Sequence, residues 1–220
     1  MQGKTKILTL ALFAATAGAV AFYPVHQSIG AVTAGDVPSA GMNQHTTVRP
    51  KVEVVFALDT TSSMHGLIET AKEKIWSIAT TMASAQNAPE IRMGLVAFRD
   101  RGDAYVTHVT DLSSDLDTMY ATLMDFRAEG GGDGPESVNQ ALHDAVHGIS
   151  WSQDLDTYKV VFLVGDAPPH MDYTDEVQYP KTMTVAQRKG IAINTIQAGS
   201  NPHTTPTWQH IAALGDGQYF

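Results

Sequence analysis

The sequence predicts an α/β fold: a doubly wound, mostly parallel central sheet flanked by helices, with one antiparallel edge strand. Short apolar runs alternate with longer amphipathic stretches from Val52 onward, which is typical of parallel strands joined by covering helices. The runs at 52–58 and 158–164 contain few polar residues, as expected of central strands that are buried on both faces. Polar clusters follow these two runs, at the place where open α/β sheets usually bind ligands.

The individual elements are predicted from hydrophobic spacing. Apolar runs predict strands at 52–58, 91–98, 104–109, 158–164 and 192–197. The stretches between them predict helices at 66–85, 115–126, 136–148, 177–189 and 207–214. The strand at 104–109 follows the turn-like Arg101-Gly102-Asp103 and is expected to form the antiparallel edge. Residues 218–220 are expected to begin a last strand, with no closing helix after it.

One globular domain is predicted at 51–220, since 220 residues with 43% hydrophobic content can build one sizeable core. Lys4 and Lys6 precede an apolar run that ends at residue 22, the pattern of a signal peptide, or of a membrane anchor if the segment is retained. Residues 23–50 are rich in Gly, Ser, Thr, Pro and Ala without apolar periodicity, which indicates a flexible linker. We therefore expect an exported protein, periplasmic or extracellular, that contacts a membrane only through an uncleaved N-terminal segment.

Charge and cysteine content narrow the possible functions. The formal net charge of −9 argues against nucleic-acid binding, which requires clustered Lys and Arg. The absence of Cys rules out a disulfide framework and a lipid-modified Cys. An acidic chain of this kind is better suited to binding cations.

The first polar cluster is Asp59-Thr60-Thr61-Ser62-Ser63, directly after the first predicted strand. Asp59, Thr61 and Ser63 place a carboxylate and two hydroxyls at alternate positions. Hard oxygen ligands of this kind suit Mg²⁺, Ca²⁺ or Mn²⁺. The alternative interpretation is a helix N-cap, because Ser and Thr often begin helices.

Two more clusters follow later strands. Gly130-Gly131-Gly132-Asp133-Gly134-Pro135-Glu136 is a loop that can approach a site closely, with Pro135 placed to start the next helix. No Gly-Lys-Ser/Thr follows, so the loop is not a phosphate-binding one. Asp166, in Gly165-Asp166, ends the most apolar strand, where packing alone rarely requires an acid.

These three clusters together resemble the metal-ion-dependent adhesion site, or MIDAS, of von Willebrand factor A domains, over about residues 52–220. The glycine-rich loop is similar to that of hemicentin and alpha-kinase-associated A domains. The resemblance implies a central first strand, with the second and third strands on one side and the later strands on the other. It also implies that Asp59, Thr61 and Ser63 are cation ligands and that Asp166 acts through water. Asp133 stands where many A domains have Thr, and could coordinate directly.

The expected function is therefore cation-dependent protein binding. One Mg²⁺, or alternatively Ca²⁺ or Mn²⁺, is expected to be held by the five predicted ligands: Asp59, Thr61, Ser63, Asp133 and Asp166. An open coordination position would accept an acidic side chain from a protein partner. No nucleophile and base are positioned near the site, so an enzyme is not expected. A purely structural cation and a scaffold that has lost its cation site are the alternatives within the same fold.

A haloacid dehalogenase-like phosphatase is the alternative from another class, because its nucleophilic Asp also follows a first strand. That chemistry needs a general acid two residues after the nucleophile. Thr61 occupies that position after Asp59, and a hydroxyl is a poor proton donor at neutral pH.

Histidines are candidates for additional contacts. His143 and His147 lie four residues apart and could share a helix face, but they lack the Glu of a His-Glu-x-x-His zinc protease. His170 lies near Asp166 and Asp172 in sequence and could reach the rim of the site. A solvated loop histidine is the commoner outcome for such a residue.

Overall fold

The computed structural model describes residues 49–84 and 88–220. The predicted signal peptide or anchor at 1–22 and nearly all of the predicted linker at 23–50 lie outside the described residues. In the described part of the chain, no helix combines the length and apolar character needed to cross a membrane.

A five-stranded sheet runs through the centre of the protein. Its strands are β1 (Lys51–Asp59), β2 (Glu90–Phe98), β3 (Thr107–Ser113), β4 (Thr157–Gly165) and β5 (Ile191–Gln197). The spatial order is β3-β2-β1-β4-β5, and every neighbouring pair is parallel except β2 with β3. The predicted fold class and the central place of the first strand are therefore confirmed.

Within residues 49–84 and 88–220, five helices connect and cover the strands: α1 (Ile68–Ala83), α2 (Leu116–Asp125), α3 (Val138–His147), α4 (Tyr179–Lys189) and α5 (Thr205–Leu214). A short 3-10 turn, Ser62–Met64, lies between β1 and α1. The predicted last strand at 218–220 appears as an isolated parallel bridge between Tyr219 and Thr195.

Several predicted boundaries differ from the structure by a few residues, and two of these differences have an identifiable physical reason. The edge strand β3 begins at residue 107 instead of 104, because the Arg99 amide bonds the Val106 carbonyl and closes residues 99–106 into a loop. Helix α3 begins at residue 138 instead of 136, because the backbone of Glu136 bonds the chain after β4. Both errors fall where tertiary hydrogen bonds override local spacing.

The hydrophobic core has two layers, one on each face of the sheet. Val54, Phe56 and Leu58 of β1 pack with α1 and α2, whereas Val55 and Ala57 pack with α3, α4 and α5. Alternate residues of a strand point to opposite faces, so a strand buried on both sides is apolar throughout. This double burial explains the long apolar run of β1.

The same sheet order brings three strand ends together. Asp59 at the end of β1 pairs with Phe98 at the end of β2, and Leu58 pairs with Val164 near the end of β4. Because parallel strands end at one edge of the sheet, the loops that follow β1, β2 and β4 meet there.

Candidate metal centre

Asp59 lies at the bottom of the loop cluster, with its side chain fully buried. Its Oδ1 atom accepts hydrogen bonds from the Thr61 amide at 2.9 Å and the Thr61 hydroxyl at 2.7 Å. These bonds turn the chain immediately after β1 and fix the carboxylate. The other oxygen, Oδ2, is buried and has no hydrogen-bond partner among the described residues, which is costly unless another group binds it.

Four of the five predicted ligands form one chain of oxygen contacts. The Thr61 and Ser63 hydroxyl oxygens are 2.9 Å apart, and the Ser63 hydroxyl donates to Asp166 Oδ1 at 2.8 Å. Asp59 joins through its bond with Thr61. The structure therefore brings Asp59, Thr61, Ser63 and Asp166 together.

This series of oxygen contacts has fewer hydroxyl protons than it has contacts. Each hydroxyl carries a single proton; that of Thr61 goes to Asp59, and that of Ser63 goes to Asp166. The 2.9 Å contact between the two hydroxyl oxygens then has no proton when both carboxylates are ionised. A further proton or a cation among these oxygens would remove the repulsion, so the oxygen set fits a hard divalent cation.

The electrostatics of Asp59 lead to the same conclusion. Burial raises the pKa of Asp59 to about 7, and the negative charge of Asp166 acts in the same direction, although the hydrogen bonds from Thr61 oppose the shift. A carboxylate of this kind gains from a positive charge nearby. The residues present therefore suit a bound divalent cation.

Gly165 allows β4 to pass close to Asp59. A Cβ atom at position 165 would lie 2.8 Å from Asp59 Cβ and 2.9 Å from Asp59 Oδ2. Only glycine leaves room for the carboxylate at this distance. The Gly-Asp pair at the end of β4 thus has a steric role at Gly165 and a polar role at Asp166.

The glycine-rich loop is attached to the first cluster through its backbone. The Ser62 amide bonds the Gly130 carbonyl at 3.2 Å, and the Glu129 amide bonds the Thr60 carbonyl at 2.9 Å. Gly130 and Gly131 both have φ of 76°, a left-handed conformation that glycine adopts without strain. The amide of Gly131 donates to Asp103 Oδ2 at 2.8 Å, which holds the loop against the residues that follow β2.

Glu136 is a buried acid of the site that the sequence did not reveal. A Cβ atom added at Gly131 would lie 3.2 Å from Glu136 Oε1 and 3.3 Å from Thr61 Cβ. Glu136 Oε1 and Thr61 therefore lie on either side of Gly131, and the Glu136 carboxylate faces the first cluster. Burial, followed by the charges of Asp59 and Asp100, raises the pKa of Glu136 to about 8. Its Oε2 atom is buried without a hydrogen-bond partner in the described part of the chain.

Sequence reasoning missed Glu136 because Pro135 made it look like the first turn of a helix. The signal that could have found it is the position of the acid within the glycine-rich loop, next to Asp133. Its amide bonds the Pro168 carbonyl at 2.9 Å, and its carbonyl accepts from the His170 amide at 3.1 Å. These bonds turn its side chain toward the strand ends.

Asp133 lies apart from the other four predicted ligands. Among the described residues, no hydrogen bond joins it to Asp59, Thr61, Ser63 or Asp166. Within the described residues it pairs with His170, whose Nε2 atom is 3.4 Å from Asp133 Oδ1. A fifth ligand role for Asp133 toward the same cation stays a prediction.

The environments of the three candidate histidines can now be compared with those expected from the sequence. His170 is buried, with 2% of its surface exposed, so it is not a solvated loop residue. His143 and His147 stack on each other, with ring centroids 4.3 Å apart. His147 Nδ1 lies 3.0 Å from the His143 carbonyl, so this ring is engaged by its own helix.

Comparisons with known proteins agree with the fold. A family model described as von Willebrand factor A domain matches residues 53–213. Proximal thread matrix protein 1 from the mussel byssus, whose structure has a zinc-occupied MIDAS motif, is similar with a TM-score of 0.61 and 15% sequence identity. The match covers 78% of this chain and 41% of the mussel chain, so the chain spans less than half of that protein's length. No curated protein sequence matches the chain.

Proposed function

The chain belongs to the von Willebrand factor A domain family, and on this premise we propose that it is a divalent-cation-dependent protein-binding domain. Domains of this family generally mediate interactions between proteins and are not generally enzymes. The observation that carries the proposal is the chain of oxygen contacts from Asp59 to Asp166, which has fewer hydroxyl protons than contacts.

In the proposed site, Asp59, Thr61, Ser63 and Asp166 hold one cation, with Asp166 acting directly or through water. All four offer oxygen ligands, which favours Mg²⁺ first and Ca²⁺ or Mn²⁺ as alternatives. The bound cation would supply positive charge to an otherwise acidic cluster. Two carboxylates and two neutral hydroxyls balance a dication without excess negative charge, so an additional anionic ligand can still bind.

The arrangement supports an open coordination position on one side. Asp59 and Thr61 are buried, whereas Ser63 is exposed and Asp166 is partly exposed. A partner can therefore approach from the side of Ser63 and Asp166. Because the chain itself carries a net charge of −9, an acidic partner side chain would be attracted here only through the cation. We therefore propose a protein partner that presents an Asp or Glu.

The phosphatase alternative has no second acid at the required place. Thr61 stands two residues after Asp59, and its hydroxyl proton goes to the Asp59 carboxylate. A purely structural cation differs from the proposed function in one measurable respect: it would stabilise the fold without any dependence on a partner carboxylate.

The proposed cellular location rests on the sequence of the first 22 residues, which lie outside the described part of the chain. We propose export, to a periplasm or the cell exterior, with a membrane anchor if the segment is retained. Detection of the N-terminus of the mature protein by mass spectrometry would distinguish cleavage from retention.

Calorimetric titration of Mg²⁺, Ca²⁺ and Mn²⁺ into chelator-treated protein tests the cation site. We expect saturable binding in the wild type and loss of Mg²⁺ binding in Asp59→Ala. Asp154→Asn is the matched control, since this exposed carboxylate pairs with Lys51 at the opposite end of β1. Absence of binding in folded wild-type protein would reject the proposed cation dependence.

The open position is tested with Mn²⁺ as a paramagnetic probe. The relaxation rate of solvent water reports water bound to the ion, and a short peptide containing one Glu should lower it by displacing that water. A matched peptide with Gln in place of Glu is the control. Equal effects of the two peptides would argue for a structural cation instead of a partner-binding one.

A further inference from the structure

A second group of cation ligands lies beside the proposed MIDAS. It combines Asp100 after β2, Asp133 in the glycine-rich loop and His170 after β4, with one ligand atom from each residue within 4.8 Å of the others. We propose that Asp100, Asp133 and His170 form a second cation site, separate from that of Asp59, which takes a transition-metal ion such as Zn²⁺.

The histidine is held with one ring nitrogen directed at the two acids. His170 Nδ1 lies 2.8 Å from Asp172 Oδ1, and the ring stacks on Tyr173 with centroids 4.0 Å apart. Its Nε2 atom lies 3.3 Å from Asp100 Oδ2 and 3.4 Å from Asp133 Oδ1. This nitrogen is buried and makes no hydrogen bond within the described residues.

The hydrogen bond from His170 Nδ1 to Asp172 determines whether Nε2 can act as a metal ligand. A neutral imidazole that donates from Nδ1 has a lone pair on Nε2, and here that lone pair faces two carboxylates. Acceptors that face one another in a buried place are unfavourable without a proton or a metal cation between them. A carboxylate that orients a histidine through its other nitrogen is the usual support of a histidine metal ligand.

The two acids have complementary environments. Asp100 is buried, and its Oδ1 atom accepts from the Ser137 hydroxyl at 3.0 Å. The Tyr173 hydroxyl lies 3.3 Å from both carboxylate oxygens, and Oδ2 also faces His170. Asp133 is the solvent-facing member, with 60% of its side chain exposed. The site therefore has a rigid buried half and an accessible side through which an ion can enter.

The spacing suits a small borderline cation. Zinc binds His nitrogen and carboxylate oxygen at about 2.0–2.2 Å, so two ligands of a tetrahedral site lie roughly 3.3–3.5 Å apart. The separations from His170 Nε2 to Asp100 Oδ2 and Asp133 Oδ1 are 3.3 and 3.4 Å. One imidazole and two carboxylates favour Zn²⁺, whereas the oxygen-only set at Asp59 favours Mg²⁺. Three protein ligands leave one position for water or a partner group.

The imidazole ¹⁵N resonances of the full chain test this proposal directly. Addition of Zn²⁺ should shift the Nε2 resonance of His170, which is identified by its loss in His170→Gln, and Mg²⁺ should leave it in place. The same shift should occur in Asp59→Ala, because the two sites are separate. This readout at the ring nitrogen keeps the result independent of whether the Asp59 site binds Mg²⁺.

Calorimetry is the second measurement. The ligand to be substituted is the exposed one, because a substitution at an exposed position avoids a folding defect. Asp133→Asn should weaken Zn²⁺ binding by at least about tenfold, and Asp172→Asn by roughly 10–100-fold, whereas Asp172→Asn should retain wild-type Mg²⁺ affinity. An unshifted His170 resonance at saturating Zn²⁺ would overturn the proposal. Loss of Mg²⁺ binding in Asp133→Asn with Zn²⁺ binding unchanged would likewise overturn it, and would assign Asp133 to the first cation.

Discussion

The Ser63 hydroxyl donates a 2.8 Å hydrogen bond to Asp166 Oδ1 across 103 residues of chain. This contact joins the loop after β1 to the end of β4, which are neighbours in the sheet. It closes the line of oxygen atoms that begins at the buried Asp59. The proposed cation site is therefore a property of two adjacent strand ends, and its strength should depend on both loops.

Removing the charge of Asp166 should weaken the first site without disturbing the core. Asp166→Asn keeps the shape of the side chain but removes a negative charge from the proposed ligand set. We expect the Mg²⁺ affinity to fall by at least about tenfold, since hard cations prefer charged oxygen ligands. Calorimetry is the measurement, with Asp175→Asn as an exposed control. Equal losses in both variants would indicate a general charge effect instead of coordination.

Gly165→Ala should damage both the stability and the cation site. The added Cβ would lie 2.8 Å from Asp59 Cβ, and overpacking of this kind typically costs about 1–3 kcal/mol. We expect a lower free energy of unfolding in urea and weaker Mg²⁺ binding. Gly132→Ala is the matched control, because nothing lies within 4 Å of its added Cβ. If Gly165→Ala changed neither the free energy of unfolding nor Mg²⁺ binding, β4 would be able to move away from Asp59.

The cation-free protein should lose stability as the pH rises from about 4 to about 8. In the folded state the pKa of Asp59 is raised from 3.8 to about 7 and that of Glu136 from 4.5 to about 8. The folded state then holds protons that the unfolded chain has released, so unfolding becomes easier with rising pH across this window. Each unit of raised pKa corresponds to about 1.4 kcal/mol.

Urea unfolding at several pH values, with chelator or with saturating Mg²⁺, measures this dependence. Mg²⁺ binds the ionised carboxylates in competition with protons, so it should reduce or reverse the slope. Asp59→Asn and Glu136→Gln should each flatten the slope in chelator. A cation-free protein whose stability increases steadily from pH 4 to 8 would contradict the expected protonation of these acids.

The residue that precedes α5 should affect the Mg²⁺ affinity of the first site, although it is not itself a ligand. The Thr204 hydroxyl is buried and donates to the Asp166 carbonyl at 2.8 Å. Thr204→Val removes one buried hydrogen bond, worth about 0.5–1.5 kcal/mol, and we expect Mg²⁺ affinity to fall by about two- to tenfold as the Asp166 loop loosens. Thr207→Val in the same helix is the control. Calorimetric affinities that do not differ between the two variants would show that the loop is held by other contacts.

The parts of the site that sequence predicted are those encoded locally. An apolar run followed by oxygen-bearing residues at alternate positions predicts a strand end with Asp59, Thr61 and Ser63 side by side. The apolar run before Asp166 likewise places this acid at a strand end. The order of the strands came from the family resemblance, and the structure agrees with it. By contrast, the start of β3 was misplaced because the tertiary bond between Arg99 and Val106 determines it.

The sequence alone determined the alternating fold, the central strand and the polar residues at the ends of β1 and β4, because burial on both faces of a strand leaves a continuous apolar signature. Only the tertiary structure decided that Glu136 faces Thr61, and that His170 is buried between Asp172 and the pair formed by Asp100 and Asp133. These side chains come from loops after different strands. Their distances depend on which strands are neighbours and on backbone bonds between loops, and neither leaves a periodic trace in the chain.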